Sequence, residues 1–307
     1  MFYSYEDVVR INGVLSGIPT EVSEELRGWN WSKYPMIPPS RTQVAVSELF
    51  NGFCDSLRFV YVKRVLREQQ REVKRLEEGT LIHRAFGEAI STAKALILEL
   101  GADGYKEFRN AFMNKLRRRI DILINDLKLV INESEKYKGI LEDLFDEAAN
   151  IYAASYSKVV RSSYYLSPDG LVSLVVPIIS EFPIDGSLVG FSKNIRADAL
   201  LPPNVLIEIK TRRPDHHHEL QLAAYAIAFE SLYKVPINHS IIIYLDMDGR
   251  RGTLRRSEKI VVLSDQLRSE VIEKRDLAYK IIDDSYDPGL PDECDIYCPY
   301  LKVCKVE

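Results

Sequence analysis

Four unevenly placed cysteines set the strongest constraint on how this chain can fold. Cys294, Cys298 and Cys304 fall within the last fourteen residues as C-x3-C-x5-C, while Cys54 lies 240 positions earlier. If the four thiols meet, the two ends of the chain must meet with them. Four thiolates can hold zinc tetrahedrally or an iron–sulfur cluster, and the spacing alone does not choose between these. The plainer alternative is four unrelated thiols, with Cys54 buried as a small hydrophobe. Density argues against it, since three cysteines in eleven residues is a strong bias in a chain that holds four. Pro288, Gly289, Pro291 and Pro299 break up regular structure there. The triplet therefore sits on an irregular tail that a bound metal would hold in place.

The rest of the composition is that of a globular protein. At 307 residues the chain suits one large domain or a core carrying an insertion. Hydrophobic residues at 46% and charged residues at 28% exclude wholesale disorder and a fibrous chain. Every apolar run is too short to cross a bilayer, and MFYSYEDVVR lacks the basic-then-apolar pattern of a signal peptide. The expectation is a soluble, cytoplasmic protein with no membrane contact. A net charge of −4 and a pI near 5.9 argue against indiscriminate coating of nucleic acid. They leave room for a local basic groove, because phosphate binding depends on where cations sit rather than on their sum.

Texture divides the chain. Residues 1–40 read as a wrapped extension carrying Trp29, Trp31 and the proline-rich YPMIPPS. From Thr42 a helical apolar period runs through Val46, Leu49, Phe50, Phe53, Leu57, Val60, Tyr61 and Val65, with Cys54 inside it. Gly79 interrupts a densely charged stretch, and a helix is expected just past it. More helix follows between about 105 and 165, so 41–165 reads as a cluster-linked helix and a helical lobe. After Pro168 the runs LVSLVVPIISEFPI, GSLVGFSKNIRADALL and NVLIEIKTR read as strands separated by Asp-Gly, Gly and Pro-Pro-Asn turns. A helix (HELQLAAYAIAFESLYK), the strands HSIIIYLDM and KIVVLS about a DGRRG turn, and a helix from Ser264 to Ile282 complete the order. The expected fold is α/β with a mixed sheet preceded by a helical lobe, the core spanning 166–263 and a C-terminal helix and Cys-rich segment spanning 264–307.

The chemistry concentrates in two of these strands. In VLIEIK a period of 2 points Leu206, Glu208 and Lys210 to one face. In NIRADALL, Arg196, Asp198 and Leu200 share a face, and the turn LPPN brings Asp198 and Glu208 side by side across a hairpin. Two carboxylates and an ammonium on one sheet face need a binding partner, and Mg2+ or Mn2+ is the hard-ion choice for oxygen ligands. The bland alternative is a surface ion pair worth little. His83, four positions after Gly79, and the i, i+4 pair Gln221/Tyr225 are weak signals by themselves.

Taken in order, Cys54, Gly79-x3-His83, Glu181, Asp198, Glu208-x-Lys210, Gln221-x3-Tyr225 and Cys294/Cys298/Cys304 resemble the CRISPR-associated Cas-four family. That family is the RecB-like branch of PD-(D/E)xK nucleases that carries an iron–sulfur cluster, and the match is nearest its divergent archaeal subgroup. The resemblance runs from about Thr42 to Cys304. It implies a restriction-endonuclease-like core and a four-cysteine region joining the N- and C-terminal parts. Cys54, Cys294, Cys298 and Cys304 would hold a [4Fe–4S] cluster. His83, Asp198, Glu208 and the backbone carbonyl of Ile209 would be the Mg2+ or Mn2+ ligands, and Lys210 the catalytic lysine. Gln221 and Tyr225 would brace the site and touch DNA, and Glu181 occupies the position of a frequent acidic residue. The triplet opens with three intervening residues, DIY, where two are usual.

The implied activity is metal-dependent hydrolysis of DNA, as an exonuclease on single-stranded ends or overhangs, during CRISPR spacer acquisition beside integrase subunits, with an oligomer possible. The alternatives are a non-catalytic iron–sulfur subunit that binds DNA or the integrase, and a RecB-like nuclease of general recombination. KTRR (210–213) and GRRGTLRR (249–256) could line a DNA groove, Arg212 and Arg213 above all, whereas KLRRR (115–119) reads as a solvated face. His216, His217 and His218 cannot all point at one ion and are expected to face solvent.

Overall fold

The computed structural model describes residues 1–128, 131–162, 166–247 and 254–304. The helices are α1 (Tyr5–Ser16), the short α2 (Val46–Leu49) and α3 (Arg58–Val60), α4 (Lys74–Leu100), α5 (Phe108–Asn125), α6 (Ser134–Ser162), α7 (Pro168–Val175), α8 (His216–Tyr233), α9 (Asp265–Asp283) and the turn α10 (Leu301–Cys304). The strands are β1 (Ile179–Ile184), β2 (Ile195–Leu201), β3 (Val205–Lys210), β4 (His239–Asp246) and β5 (Arg255–Val262), lying in that spatial order. Among the described strands only the β3–β4 pair is parallel, and α8 makes its crossover. The other neighbours are antiparallel, so the sheet is mixed as expected. No described helix is long and apolar enough to cross a membrane.

Two apolar cores flank the sheet. On one face Val205, Ile207, Ile209, Ile241, Ile243 and Leu245 pack against α1 and the lobe of α4–α7. The lobe helices bury residues at spacings of three and four, as Leu81, Ile82, Ala85, Phe86, Ala89 and Ile90 do on α4, which is the stripe that packs one helix on another. On the other face Leu206, Ile242 and Tyr244 pack against α8 and α9. α8 is apolar nearly all round because it is covered on every side, by the sheet, by α9 and by the short turn Gly28–Asn30.

Four expectations need correction. LVSLVV is not a strand but α7: Ser167 caps it by accepting from the Gly170 N–H, and Pro168 occupies the first turn, where its missing N–H does no harm. Gly79 does not start a helix; it lies inside the 27-residue α4. The apolar period after Thr42 is not one helix, for Asn51–Ser56 form a loop with Gly52 at φ +69°, and Cys54 sits in that loop. Finally, Arg196, Asp198 and Leu200 do not share a face. Ile195 and Ala197 pack on the α8 side, as does Leu200, so the alternation of β2 switches at Asp198. By register Asp198 lies opposite Glu181, whose φ of +50° is unusual for a residue with a side chain. The DGRRG turn and residues 249–253 of GRRGTLRR lie outside the described residues.

Candidate active site

Asp198 and Glu208 sit where the β2–β3 ladder ends. Pairing runs Leu201↔Val205, Leu200↔Leu206 and Ala199↔Ile207. At the next position the Asp198 carboxylate takes over a strand partner's role, its Oδ2 accepting the Ile209 N–H at 2.6 Å. That bond fixes the carboxylate between two strands that part here. Its Oδ1 is 2.8 Å from Nδ1 of His83, which α4 delivers from the lobe.

Glu208 points the other way along the same row, toward α8. Its Oε1 accepts from Lys210 Nζ at 2.9 Å and from Gln221 Nε2 at 2.9 Å. Lys210 Nζ also donates to Gln221 Oε1 at 2.7 Å, and Gln221 Nε2 approaches the Tyr225 hydroxyl at 2.6 Å. The i, i+4 spacing on α8 thus places Gln221 and Tyr225 as a brace for the lysine and the glutamate. All of these side chains line one cleft of about 560 Å3, within the range of ligand sites, together with Glu181, Arg196 and Arg212. Glu181 is 3.4 Å from Arg196 at the rim.

The electrostatics follow from this crowding. Burial, then the charge of Asp198, pushes the Glu208 carboxyl up to about 7, against the pull of Lys210 and His83. Burial opposes a charge on His83, but the Asp198 carboxylate and its hydrogen bond outweigh it, and the imidazole is raised. Among the described residues no group of three or more His, Cys, Asp or Glu side chains is placed to hold a metal ion as it stands. In the cleft the acids are engaged instead by His83, Lys210, Gln221 and the Ile209 N–H. One acceptor is left over: Glu208 Oε2 is buried with no partner. A buried carboxylate oxygen without a hydrogen bond is costly, and a hard cation is the partner its chemistry fits.

The second cluster is the thiols. Cys54, Cys294, Cys298 and Cys304 are free and line one pocket with Phe53, Phe59 and Tyr300. Burial, with the other three cysteines nearby, pushes the Cys298 thiol up to about 11. Burial likewise raises Cys304, with Arg58 opposing it. The chain ends meet here through an edge-to-face Phe59–Tyr300 contact of 5.0 Å and a bidentate Arg58–Asp287 pair at 2.9 Å.

The chain matches the family model described as "Csa1: CRISPR-associated exonuclease Csa1" over residues 1–307. It belongs to that family. A curated relative, "CRISPR-associated exonuclease Csa1" of Saccharolobus solfataricus, is 35% identical over 306 residues, covering 99% of each chain. A relative of the same description from Thermoproteus tenax is 28% identical over 294 residues, covering 94% of this chain and 93% of its own. The resemblance drawn from the ordered motifs is borne out at the level of the family.

Several residues around the family member's cleft escaped sequence reading. Glu48 is buried in the cleft wall, 2.7 Å from Lys63 and 3.0 Å from Arg64. Its signal was a glutamate inside an apolar period. Arg75 lies 3.4 Å above the Tyr297 ring, joining α4 to the Cys-rich tail. The histidine run does not face solvent as a unit. His216 is exposed and 2.8 Å from Glu270, but His217 and His218 are buried. His217 Nδ1 bonds Asp215 at 2.8 Å, and its Nε2 lies 3.0 Å from Asp55, outside hydrogen-bond alignment. Of the basic runs, KLRRR lies on α5 with Lys115 and Arg119 paired to Glu99 and Glu88 at the surface. Arg212 is drawn into the cleft, and Arg213 lines a neighbouring recess.

Proposed function

We propose that this protein is a metal-dependent DNA exonuclease, acting on single-stranded ends or overhangs during CRISPR spacer acquisition beside integrase subunits. The observation that carries the reading is the convergence of His83, Asp198, Glu208 and Lys210 in one cleft, with Glu208 Oε2 buried and unpartnered. The names of the curated relatives support the exonuclease activity and its CRISPR context. The arrangement fits a PD-(D/E)xK-type site on a mixed sheet.

His83, Asp198, Glu208 and the Ile209 carbonyl would hold Mg2+ or Mn2+. When bound, the ion supplies a Lewis acid for the phosphate and lowers the pKa of water. The chain's own groups do the rest. Gln221 holds Lys210 Nζ against Glu208, so the ammonium is fixed rather than free on its stem. A pre-fixed cation beside a phosphodiester stabilises the negative charge that builds during attack. The Ile209 N–H orients Asp198, and Tyr225 limits how far Gln221 can turn. Burial and the charge of Asp198 raise the Glu208 carboxyl to about 7, so near neutral pH it is only partly ionised. At the other cluster, the four cysteines would hold a [4Fe–4S] cluster. They are the only cysteines in the chain, and all four line one pocket.

The deciding experiment is nucleotide release from an end-labelled single strand with Mn2+ or Mg2+. Chelation should abolish it. Lys210→Ala should slow it about a hundredfold, roughly 3 kcal/mol of barrier, with strand affinity nearly unchanged. A Lys210→Ala protein that is folded by circular dichroism and cleaves at the wild-type rate would remove the proposed role.

A further inference from the structure

The cleft does not end at Lys210. The chain from Thr211 to Asp215 continues along a second recess of about 840 Å3, and Arg75, Thr211, Arg212 and His218 line both spaces. Beyond that shared wall the recess is bounded by Arg213, by the end of β4 and by Arg255 at the start of β5. The two spaces adjoin at this wall and together extend from the carboxylates toward the edge strand β5.

Four guanidinium groups on this path have no carboxylate ion pair among the described residues. Arg75 lies 3.4 Å over the Tyr297 ring, and Arg212 lies 4.2 Å over the Phe53 ring while donating to the Asn51 carbonyl at 2.9 Å. Arg213 and Arg255 are exposed and unpaired. The acids facing the recess each have another partner, and Asp295 and Asp215 act on Arg212 only through space, without an ion pair. Glu78 accepts from Tyr137, Asp215 caps α8 and holds His217, and Asp295 accepts the Tyr297 N–H. Asp246 also has a partner. Four arginines without an ion pair, two of them held against aromatic rings, in a concave space next to a phosphodiesterase-type site, call for a polyanion with regularly spaced charges. A guanidinium fork suits phosphate oxygens in particular.

We propose that this recess is a second binding site, taking the phosphodiester backbone of the strand that runs on from the scissile bond, with Arg75, Arg212, Arg213 and Arg255 as its phosphate-binding side chains. The proposal rests on the nuclease reading of the cleft. It makes the protein a measurer of strand length: a short fragment fills only the first space, and a longer one gains ionic contacts in the second.

The test uses single-stranded oligodeoxynucleotides from dinucleotide to decanucleotide, dye-labelled at one end. Binding is followed by anisotropy in chelator, so that no cleavage occurs. Wild-type affinity should climb with length and then level off. In an Arg213→Ala/Arg255→Ala variant, whose changed side chains are exposed, long strands should bind about tenfold more weakly. The climb should flatten, and the salt slope should lessen by about 1.4, two phosphate contacts at roughly 0.7 each. A double variant with the wild-type length dependence and salt slope would overturn the second site alone. Wild-type protein that binds no strand of any length would overturn the nuclease reading and the recess with it.

Discussion

A buried imidazole reports on the charge around it, and His218 is the clearest case in this molecule. It is 3% exposed, its Nδ1 lies 3.3 Å from the Tyr244 hydroxyl, and it stands on the wall shared by cleft and recess. Burial, and then the positive charge of Lys210, pushes its pKa down from 6.5 to about 3, with Asp215 pulling the other way and Arg212 adding to the fall. The folded state therefore refuses a proton that the unfolded chain accepts. Above pH 6.5 neither state binds it and nothing is lost. As pH falls from 6.5 toward 3 the unfolded chain is protonated first, so stability drops by roughly 1.4 kcal/mol per pKa unit of the gap. Exchanging His218 for Asn should cost some packing at neutral pH yet flatten this acid limb. Urea midpoints taken from pH 7 to pH 4 for both proteins would show it, and parallel pH profiles would mean that the imidazole is not buried as described. The same crowding explains what sequence reading could reach at this scale. Glu208 and Lys210 were legible from period 2 on β3, and the hairpin turn announced Asp198 as their neighbour, although the alternation of β2 itself breaks at Asp198. His218 and Glu48 were not, since burial of a polar side chain is decided by what packs over it.

At the scale of elements, local signals and tertiary cover compete. The lobe helices α5 and α6 were legible from uninterrupted apolar periodicity, and β3, α8 and β4 from a strand–helix–strand order. α7 was misread because LVSLVV is rich in β-branched residues, although Ser167-Pro168 is a helix-start signal that outranks weak β propensity. The loop holding Cys54 was misread because Phe50, Phe53 and Leu57 are buried, at spacings a helix would also give, without being helical. No periodicity announced how residues 24–30 are docked. Glu230, fully buried on α8, accepts from Arg27, from the Gly28 N–H, from the Ile237 N–H and twice from Arg268. With so many donors the charge is satisfied, and removing one partner would leave the others exposed to an unpaired carboxylate. Gly28 is required for the close approach: a Cβ there would stand 1.9 Å from the Ile227 carbonyl oxygen and 2.8 Å from the Ser231 nitrogen, both backbone atoms that cannot swing aside. Gly28→Ala should therefore destabilise the fold by about 3 kcal/mol, at the upper end of overpacking costs, while Gly13→Ala, with open space around it, should not. Thermal melts of the two variants compare them directly, and equal melting temperatures would mean that this segment is not seated on α8.

For the whole molecule the question is what closes the chain. The sheet and its two cores leave the Cys-rich tail with little apolar area of its own: Phe53, Phe59, Val62 and Tyr300 form the small cluster around the thiols. Polar ties add the Arg58–Asp287 pair and a bond from the Ser56 hydroxyl to the Gly289 carbonyl. A tail so sparsely packed gains most from a bound group that holds all four sulfurs, because the group's binding energy then counts as folding energy for the segment. The corner also abuts the cleft that holds Asp198, Glu208 and Lys210. Asn51 and Phe53, just ahead of Cys54, hold Arg212, and Tyr297, just ahead of Cys298, carries Arg75. Loss of a group held by the four sulfurs, as proposed, should therefore loosen both ends of the chain and the arginine wall together. Protein purified without oxygen should be brown and contain iron and inorganic sulfide. Cys54→Ser should lose the colour, melt at lower temperature and be cut by protease in the tail between Ser285 and Cys304. Colourless wild-type protein with one zinc per chain would replace the cluster by a structural metal and keep the closure. A Cys54→Ser protein with an unchanged tail would show that the apolar cluster and the Arg58 pair suffice, and that the thiols do not close the fold.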